Sequence, residues 1–162
     1  MIKVGILTAS DNGSAGQRID ESGKVIMNAL KQIDSSMTDY VVVPDDRDTI
    51  AANLTRMADV IGVDLILTTG GTGFSPRDIT PEATLSVIDR EAPGIPEAMR
   101  LKSLQITPKA MLSRAVAGIR GKTLIINLPG SPKAVSECLE VILPVISHAI
   151  EILRGDAGEC AR

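Results

Sequence analysis

Between an apolar run, Asp64-Leu-Ile-Leu-Thr-Thr69, and a helix start, Ile79-Thr-Pro-Glu-Ala83, stand Gly70-Gly-Thr-Gly73 and Phe74-Ser-Pro-Arg-Asp78. Glycines in such a loop let the backbone approach a ligand and turn N–H groups toward an anion. A Walker-type phosphate loop is excluded, because no Lys-Ser/Thr pair follows the glycines, and their spacing is not the dinucleotide fingerprint. What is left is a carboxylate, Asp78, at an anion site. It repels phosphate unless a cation lies between them, which makes a magnesium-bound phosphate the natural guest. A glycine turn with a solvated Arg77-Asp78 pair is the alternative at this point.

Three more stretches carry reactive types: Ser10 to Gly16, Pro44 to Arg47 and Asn127 to Lys133. They offer Asp11, Asp45, Asp46, Arg47 and Lys133, with hydroxyls and backbone N–H groups. One of the Asp45-Asp46 pair could be a helix N-cap instead. The only histidine, His148, falls in the last helical stretch, remote from these loops, and Cys138 in the same stretch reads as packed. Without a histidine or a reactive thiol, acyl transfer is excluded in practice. Phosphoryl or nucleotidyl transfer fits, since there positioning and charge neutralisation do most of the work.

Elements that could hold these loops together alternate along the chain. Ile2 to Thr8, Tyr40 to Val43 and Leu65 to Thr69 read as strands. Between them, helices open at Asp20 and after Asp46, with Val25, Ile26, Ala29, Leu30 and Ile33 on one face of the first, and Ile50, Leu54, Met57, Ala58 and Ile61 on one face of the second. Such alternation predicts a parallel α/β sheet with right-handed crossovers. Thr80 reads as an N-cap, Pro81 as the first helical residue and Glu82 as negative charge on the helix's positive end, with that helix running to Arg90. Ala92 to Pro96 is a break, Glu97 to Leu104 a helix, and Ala110 to Ser113 a short helical segment after Pro108. Ala115 to Ile119 and Thr123 to Leu128 read as a hairpin, which adds at least one antiparallel strand. The final apolar helix follows Lys133 and is expected to kink or divide at Pro144 before resuming toward Leu153. Ligands bind outside the carboxyl ends of the strands in an open parallel sheet, so the four loops predict one ligand site on one rim.

Composition narrows the partners. Net charge is −3 with both signs interspersed, and Tyr40 and Phe74 are the only aromatic residues, so neither a basic footprint nor stacking platforms for nucleic acid exist. No run reaches transmembrane length, the amino terminus is already a strand, and two scattered cysteines make no disulfide framework; a reducing cytoplasm is the expected setting. Residues 1–154 read as one domain and 155–162, with Cys160, as a loose tail. With 44% hydrophobic residues, part of Ala92 to Leu112 or Val135 to Leu153 is expected to be buried between subunits.

Thr68-Thr-Gly-Gly-Thr-Gly73, Arg77-Asp78 and Thr80-Pro-Glu-Ala83 resemble the signature of the molybdenum cofactor biosynthesis proteins. Within these, the chain is similar to the molybdopterin adenylyltransferase group, which includes the G domains of the plant enzyme and of gephyrin. Ser10-Asp11, Asp20-Glu-Ser-Gly23, Pro44-Asp45, Pro93-Gly-Ile-Pro-Glu-Ala-Met-Arg100, Leu112-Ser-Arg114 and Asn127-Leu-Pro-Gly130 match in order, from about Lys3 to Leu153. The resemblance implies a three-layer α/β/α fold with a mostly parallel sheet and an antiparallel edge hairpin, assembled as a homotrimer. It implies transfer of adenylyl from Mg-ATP to molybdopterin with release of pyrophosphate, and transient contact with the molybdenum insertion enzyme. Asp45 and Asp78 would be catalytic and hold Mg2+ through phosphate. Gly70, Gly71, Thr72 and Gly73 would hold the pterin, with Ser10, Asp11, Ser22, Thr69, Asn127, Pro129, Gly130 and Ser131 completing the pocket. A pterin carrier that uses the same pocket without chemistry is the alternative, and intact Asp45 and Asp78 favour the enzyme.

Overall fold

The computed structural model describes residues 1–156 and 158; Cys160 and most of the expected tail lie outside the described residues. A six-stranded sheet is ordered β2-β1-β3-β6-β5-β4. Its strands are β1 (Ile2–Ala9), β2 (Ser35–Val43), β3 (Leu65–Thr69), β4 (Arg90–Glu91), β5 (Ala117–Arg120) and β6 (Thr123–Leu128). β2, β1, β3 and β6 pair in parallel, whereas β5 runs antiparallel to both β6 and β4. The expected hairpin exists, but β5 is not the edge. The chain after Val87 is drawn to the sheet by Asp89 and Ala92, whose N–H groups donate to Ile119 and Ala117 at 2.7 and 2.9 Å, and the two-residue β4 caps it. β2 starts five residues before the expected Tyr40. It is the opposite edge strand, open on one side, so the polar stretch Ser35 to Asp39 can pair with β1 without being buried.

The helices are α1 (Asp11–Ser14), α2 (Glu21–Ala29), α3 (Arg47–Thr55), α4 (Thr80–Leu85), α5 (Gly94–Leu104) and α6 (Pro132–Arg154). α1 lies inside the stretch read as a loop, capped by Ser10. α3 passes into a π-helical Arg56–Ile61, which Gly62 ends in a left-handed conformation. α5 begins at Gly94 rather than Glu97, because Pro96 sits in the first turn, where a missing N–H costs nothing. α6 continues unbroken through Pro144, which lies on an exposed face where water can satisfy the freed carbonyl.

Adjacent residues of the central strands face opposite layers. Ile6, Leu65, Leu67, Leu124 and Ile126 pack against α2, α5 and α6, through Ile26, Met99, Val135, Leu139 and Ile142. Leu7, Ile66 and Ile125 pack against Ile50 and Leu54 of α3 and Ala83 of α4. These are the three layers of an α/β/α sandwich, with strands apolar on both faces as parallel sheets require.

Candidate active site

Because β1, β2, β3 and β6 are parallel, the loops after all four open on one rim, as predicted. Two carboxylates tie the first two loops together. Asp45 Oδ2 accepts from the Asp11 N–H at 3.0 Å, and Asp11 Oδ1 accepts from the Asp45 N–H at 3.0 Å. Arg77 crosses from the third loop and donates through Nε and Nη2 to the Asp11 carboxylate, both at 3.0 Å. Asp46 instead accepts from the Thr49 N–H at 2.9 Å and its hydroxyl at 2.6 Å, as the N-cap of α3. The ambiguity between the two neighbours thus resolves structurally: Asp46 caps, and Asp45 faces the rim.

The glycine loop is shaped by its own packing. Gly70 (φ +90°) and Gly71 (φ +69°) lie in the left-handed region. A Cβ on Gly70 would stand 2.3 Å from the Ala9 carbonyl oxygen, and one on Gly71 2.4 Å from Thr80 Oγ1. The space that these glycines spare is therefore taken by the chain itself, beyond any ligand's need of it. Thr80 is not the N-cap; Ile79 holds that position without a side-chain bond, and Thr80 is already helical, with Pro81 following. Its N–H is spent on the Gly71 carbonyl at 3.1 Å, and its hydroxyl is buried without a partner among the described residues. Glu82 pairs with Arg114 at the helix's positive end.

Arg114 falls within a matched motif but has no place in the predicted site, and it holds the loop. Nε donates to the Gly73 carbonyl at 2.7 Å, Nη2 to the Asp78 carbonyl at 3.0 Å and Nη1 to Glu82. Its backbone N–H donates to Thr72 at 2.8 Å. Only its place in Leu112-Ser-Arg114 could have pointed to it. Asp20 is the second omission. Its carboxylate accepts from the Gly23 N–H at 2.9 Å, from the Thr8 hydroxyl at 2.6 Å and from the Tyr40 hydroxyl. Burial and that carboxylate push the Tyr40 phenol well above its usual range.

Two cavities open on the rim. One, of about 590 Å³, is lined by carboxylates and hydroxyls and contains Ser10, Asp11, Ser22, Asp45, Thr69, Gly70 and Ser131 of the predicted set. The other, of about 420 Å³, holds Thr72, Gly73 and Pro129, with Pro96, Met99 and Ala115 as apolar walls. Gly71, Asp78 and Gly130 line both and form the ridge between them. Hydrogen bonds brace that ridge: Ser22 Oγ donates to the Gly130 carbonyl at 2.7 Å, and Thr69 Oγ1 to the Pro129 carbonyl at 2.6 Å. Asn127 alone of the predicted residues is in neither cavity. It is fully buried, with its amide donating to Thr68 and Thr84 at 3.0 and 2.9 Å and its oxygen accepting from the Val116 N–H at 3.2 Å. Asn127 is a correction to the predicted pocket: it joins β6, β3 and α4 beneath the rim.

Residues 5–148 match the family model described as a probable molybdopterin binding domain. The chain belongs to that family. It is 46% identical over 157 residues to the molybdopterin adenylyltransferase of Helicobacter pylori J99, covering 96% of this chain and 89% of that one. It is 50% identical over 160 residues to gephyrin of Dictyostelium discoideum, spanning 22% of that longer protein and 93% of its own length. The crystal structure of the molybdopterin biosynthesis enzyme MoaB from Thermus thermophilus superposes with a TM-score of 0.91 at 52% identity, covering 96% of this chain and 98% of that one.

As a member of the molybdopterin-binding family, the chain brings unequal charges to the larger of the two cavities. Arg77 holds the Asp11 carboxyl below the usual carboxylate range, aided by the Asp45 N–H. Burial pushes Asp45 up, and the neighbouring Asp11 and Asp78 carboxylates add to the rise. Among the described residues Asp45 has no ion pair of its own, because the Arg77 guanidinium bonds Asp11 and reaches Asp45 only through its field. Cys138 is buried with its thiol pushed up by desolvation. His148 lies about 25 Å along α6 from Ser131 at 1.5 Å per residue, too far to act at the rim, and the Cys138 thiol, though it lines the cavity beside Met99, is held protonated by its burial.

Proposed function

We infer that this chain is a nucleotidyltransferase of molybdenum cofactor biosynthesis, joining an adenylyl group to the terminal phosphate of molybdopterin with release of pyrophosphate. The observation that carries this reading is the shared ridge: two separate cavities meet at Gly71, Asp78 and Gly130, as a reaction between two bound molecules requires. The name of the Helicobacter relative supports it. An oxygen of the molybdopterin phosphate attacks the α-phosphorus of ATP, the bond to the β-phosphate breaks, and pyrophosphate leaves. The substrate supplies its own nucleophile, which accords with the absence of a protein nucleophile on the ridge.

The residues fit a magnesium ion. Asp45 is half-buried, makes no ion pair among the described residues and feels the Asp78 carboxylate. Among the described residues no group of three or more acidic, histidine or cysteine side chains could hold a metal alone, so the remaining ligands would be phosphate oxygens and water, as magnesium prefers. Asp45 and Asp78 would hold the ion, which when bound neutralises charge on the phosphate oxygens. The ATP phosphates therefore belong in the carboxylate-lined cavity, with Ser10, Asp11, Ser22, Thr69 and Ser131. Molybdopterin belongs beside Thr72, Gly73 and Pro129. This divides a set that the resemblance assigns to the pterin together. Pyrophosphate release from Mg-ATP only when molybdopterin is present tests the reading; release without it, or none with both substrates, would overturn it.

Assembly as a homotrimer is supported by exposed apolar residues, among them Leu101, Met111 and Val145, and by the groove between Ile95 and Val145. Light scattering that gave a monomer mass at micromolar concentration would overturn it. No described helix is long and apolar enough to cross a membrane. We place the chain in the cytoplasm, passing its product to the molybdenum insertion enzyme; co-elution with that enzyme tests the contact.

A further inference from the structure

The cavity beside Met99 contains a charge with no counterpart. Glu137 stands in the second turn of α6 and is half-buried, with Ala134 and Cys138 on the same side lining the cavity while Val135 and Leu139 enter the core. Among the described residues its carboxylate makes no hydrogen bond and no ion pair. The cations that line the same cavity do not answer it. Arg100 donates to the Ser113 and Ala115 carbonyls at 3.4 and 2.8 Å, and Lys109 is exposed. A half-buried carboxylate against the apolar walls of Pro96, Met99 and Ala115 gives up hydration without protein donors in return. Such a group fits a ligand that brings donors with it.

A pterin brings them. Its 2-amino-4-oxopyrimidine edge presents the N3–H and one N–H of the 2-amino group side by side, as a guanidinium presents its fork, and two carboxylate oxygens accept that pair. The ring faces would rest on the apolar walls. Cys138, kept protonated by burial and by the Glu137 carboxylate, adds no second anion beside the edge. Resting on the reading of this cavity as the pterin site, we propose that Glu137 is the residue that recognises the aminopyrimidinone edge of the pterin and so sets the specificity for it. The carboxylate-lined cavity has no part in this, since Glu137 is absent from its wall.

Calorimetric titration tests the assignment. Glu137→Gln keeps the size but turns a donor toward the donors of the ring. It should weaken molybdopterin binding about 10- to 100-fold, the loss of hydrogen bonds to a charged group, and leave Mg-ATP binding unchanged. Unsubstituted pterin and lumazine, which carries oxygen in place of the 2-amino group, supply the second arm. The wild-type chain should prefer pterin about tenfold or more, and Glu137→Ala should erase the preference. Molybdopterin affinity in Glu137→Gln equal to wild type, or a pterin-to-lumazine ratio unmoved by Glu137→Ala, overturns the assignment while the functional reading stands. A wild-type chain that binds no molybdopterin overturns the functional reading, and this assignment with it.

Discussion

The cavity around Asp45 and the cavity around Met99 share three residues, yet they are built from different parts of the chain. The first is made by loops at the carboxyl ends of β1, β2, β3 and β6, with the amino ends of α2 and α6 beside them. The second uses the same glycine loop as one wall and takes the rest from α5, the 3-10 segment Pro108–Leu112 and α6. Parallel topology by itself gathers backbone donors, hydroxyls and carboxylates at one rim, so phosphate chemistry comes with the sheet. Recognition of an organic ring needs apolar walls, and these come from the stretch inserted between β3 and β6. The ridge is where a phosphate from either side can meet the other.

The largest expected effects fall on the ridge and on the carboxylate beside it. Asp45→Asn and Asp78→Asn keep the size and remove the charge, and each should lower the rate of pyrophosphate release about 100- to 1000-fold, as loss of electrostatic stabilisation in a closed site does. Asp45 belongs to one cavity only, so Asp45→Asn should leave molybdopterin binding intact by titration. Gly71→Val acts on both sides. The positive φ and the collision with Thr80 together should cost about 1–3 kcal/mol of stability in thermal unfolding and weaken both substrates, rather than the pterin alone. Retention of wild-type Tm would show that the loop can relax around a side chain.

Smaller changes sharpen the comparison. Acid should weaken Mg-ATP before it weakens molybdopterin. Asp45 has a raised pKa, so on acidification it takes up its proton above the ordinary aspartate range near 3.9, whereas Asp11, held low by Arg77, stays ionised longer. Calorimetry of the two ligands between neutral and mildly acidic pH measures the difference. Asp46→Asn should be nearly silent in both cavities and barely move the unfolding temperature, because asparagine caps helices about as well as aspartate. A dead Asp46→Asn beside an active Asp45→Asn would exchange their roles.

Much of this arrangement was legible in the residue order, for reasons that differ by element. β1, β3 and β6 are apolar runs of strand length, and burial on both faces leaves them little choice of pattern. The alternation with helices then placed the four loops on one rim. β4 and the first half of β2 were hidden because edge strands tolerate polar residues; Arg90–Glu91 has no apolar residue and Ser35 to Asp39 has only the exposed Met37. Local rules misled at Thr80, where a cap-forming residue type became the first helical residue once its N–H found Gly71. Asn127 sits in a glycine-proline motif that resembles a binding loop, but its side chain turns inward, and a motif does not say which way a side chain points. Arg114 reaches Gly73, Asp78 and Glu82 across more than thirty positions, a separation that no local pattern encodes.

Tyr40 has a practical consequence. It is the only tyrosine, the chain has no tryptophan, and its hydroxyl rests on the Asp20 carboxylate that lines the cavity around Asp45. Emission excited in the tyrosine band therefore arises from one ring, whose hydroxyl donates to the carboxylate that also caps α2. A ligand that shifts Asp20 should alter that emission without any label, while a ligand confined to the cavity beside Met99, which Asp20 does not line, should leave it untouched. Tyrosine emission titrated with each ligand in turn would then report which cavity is filled.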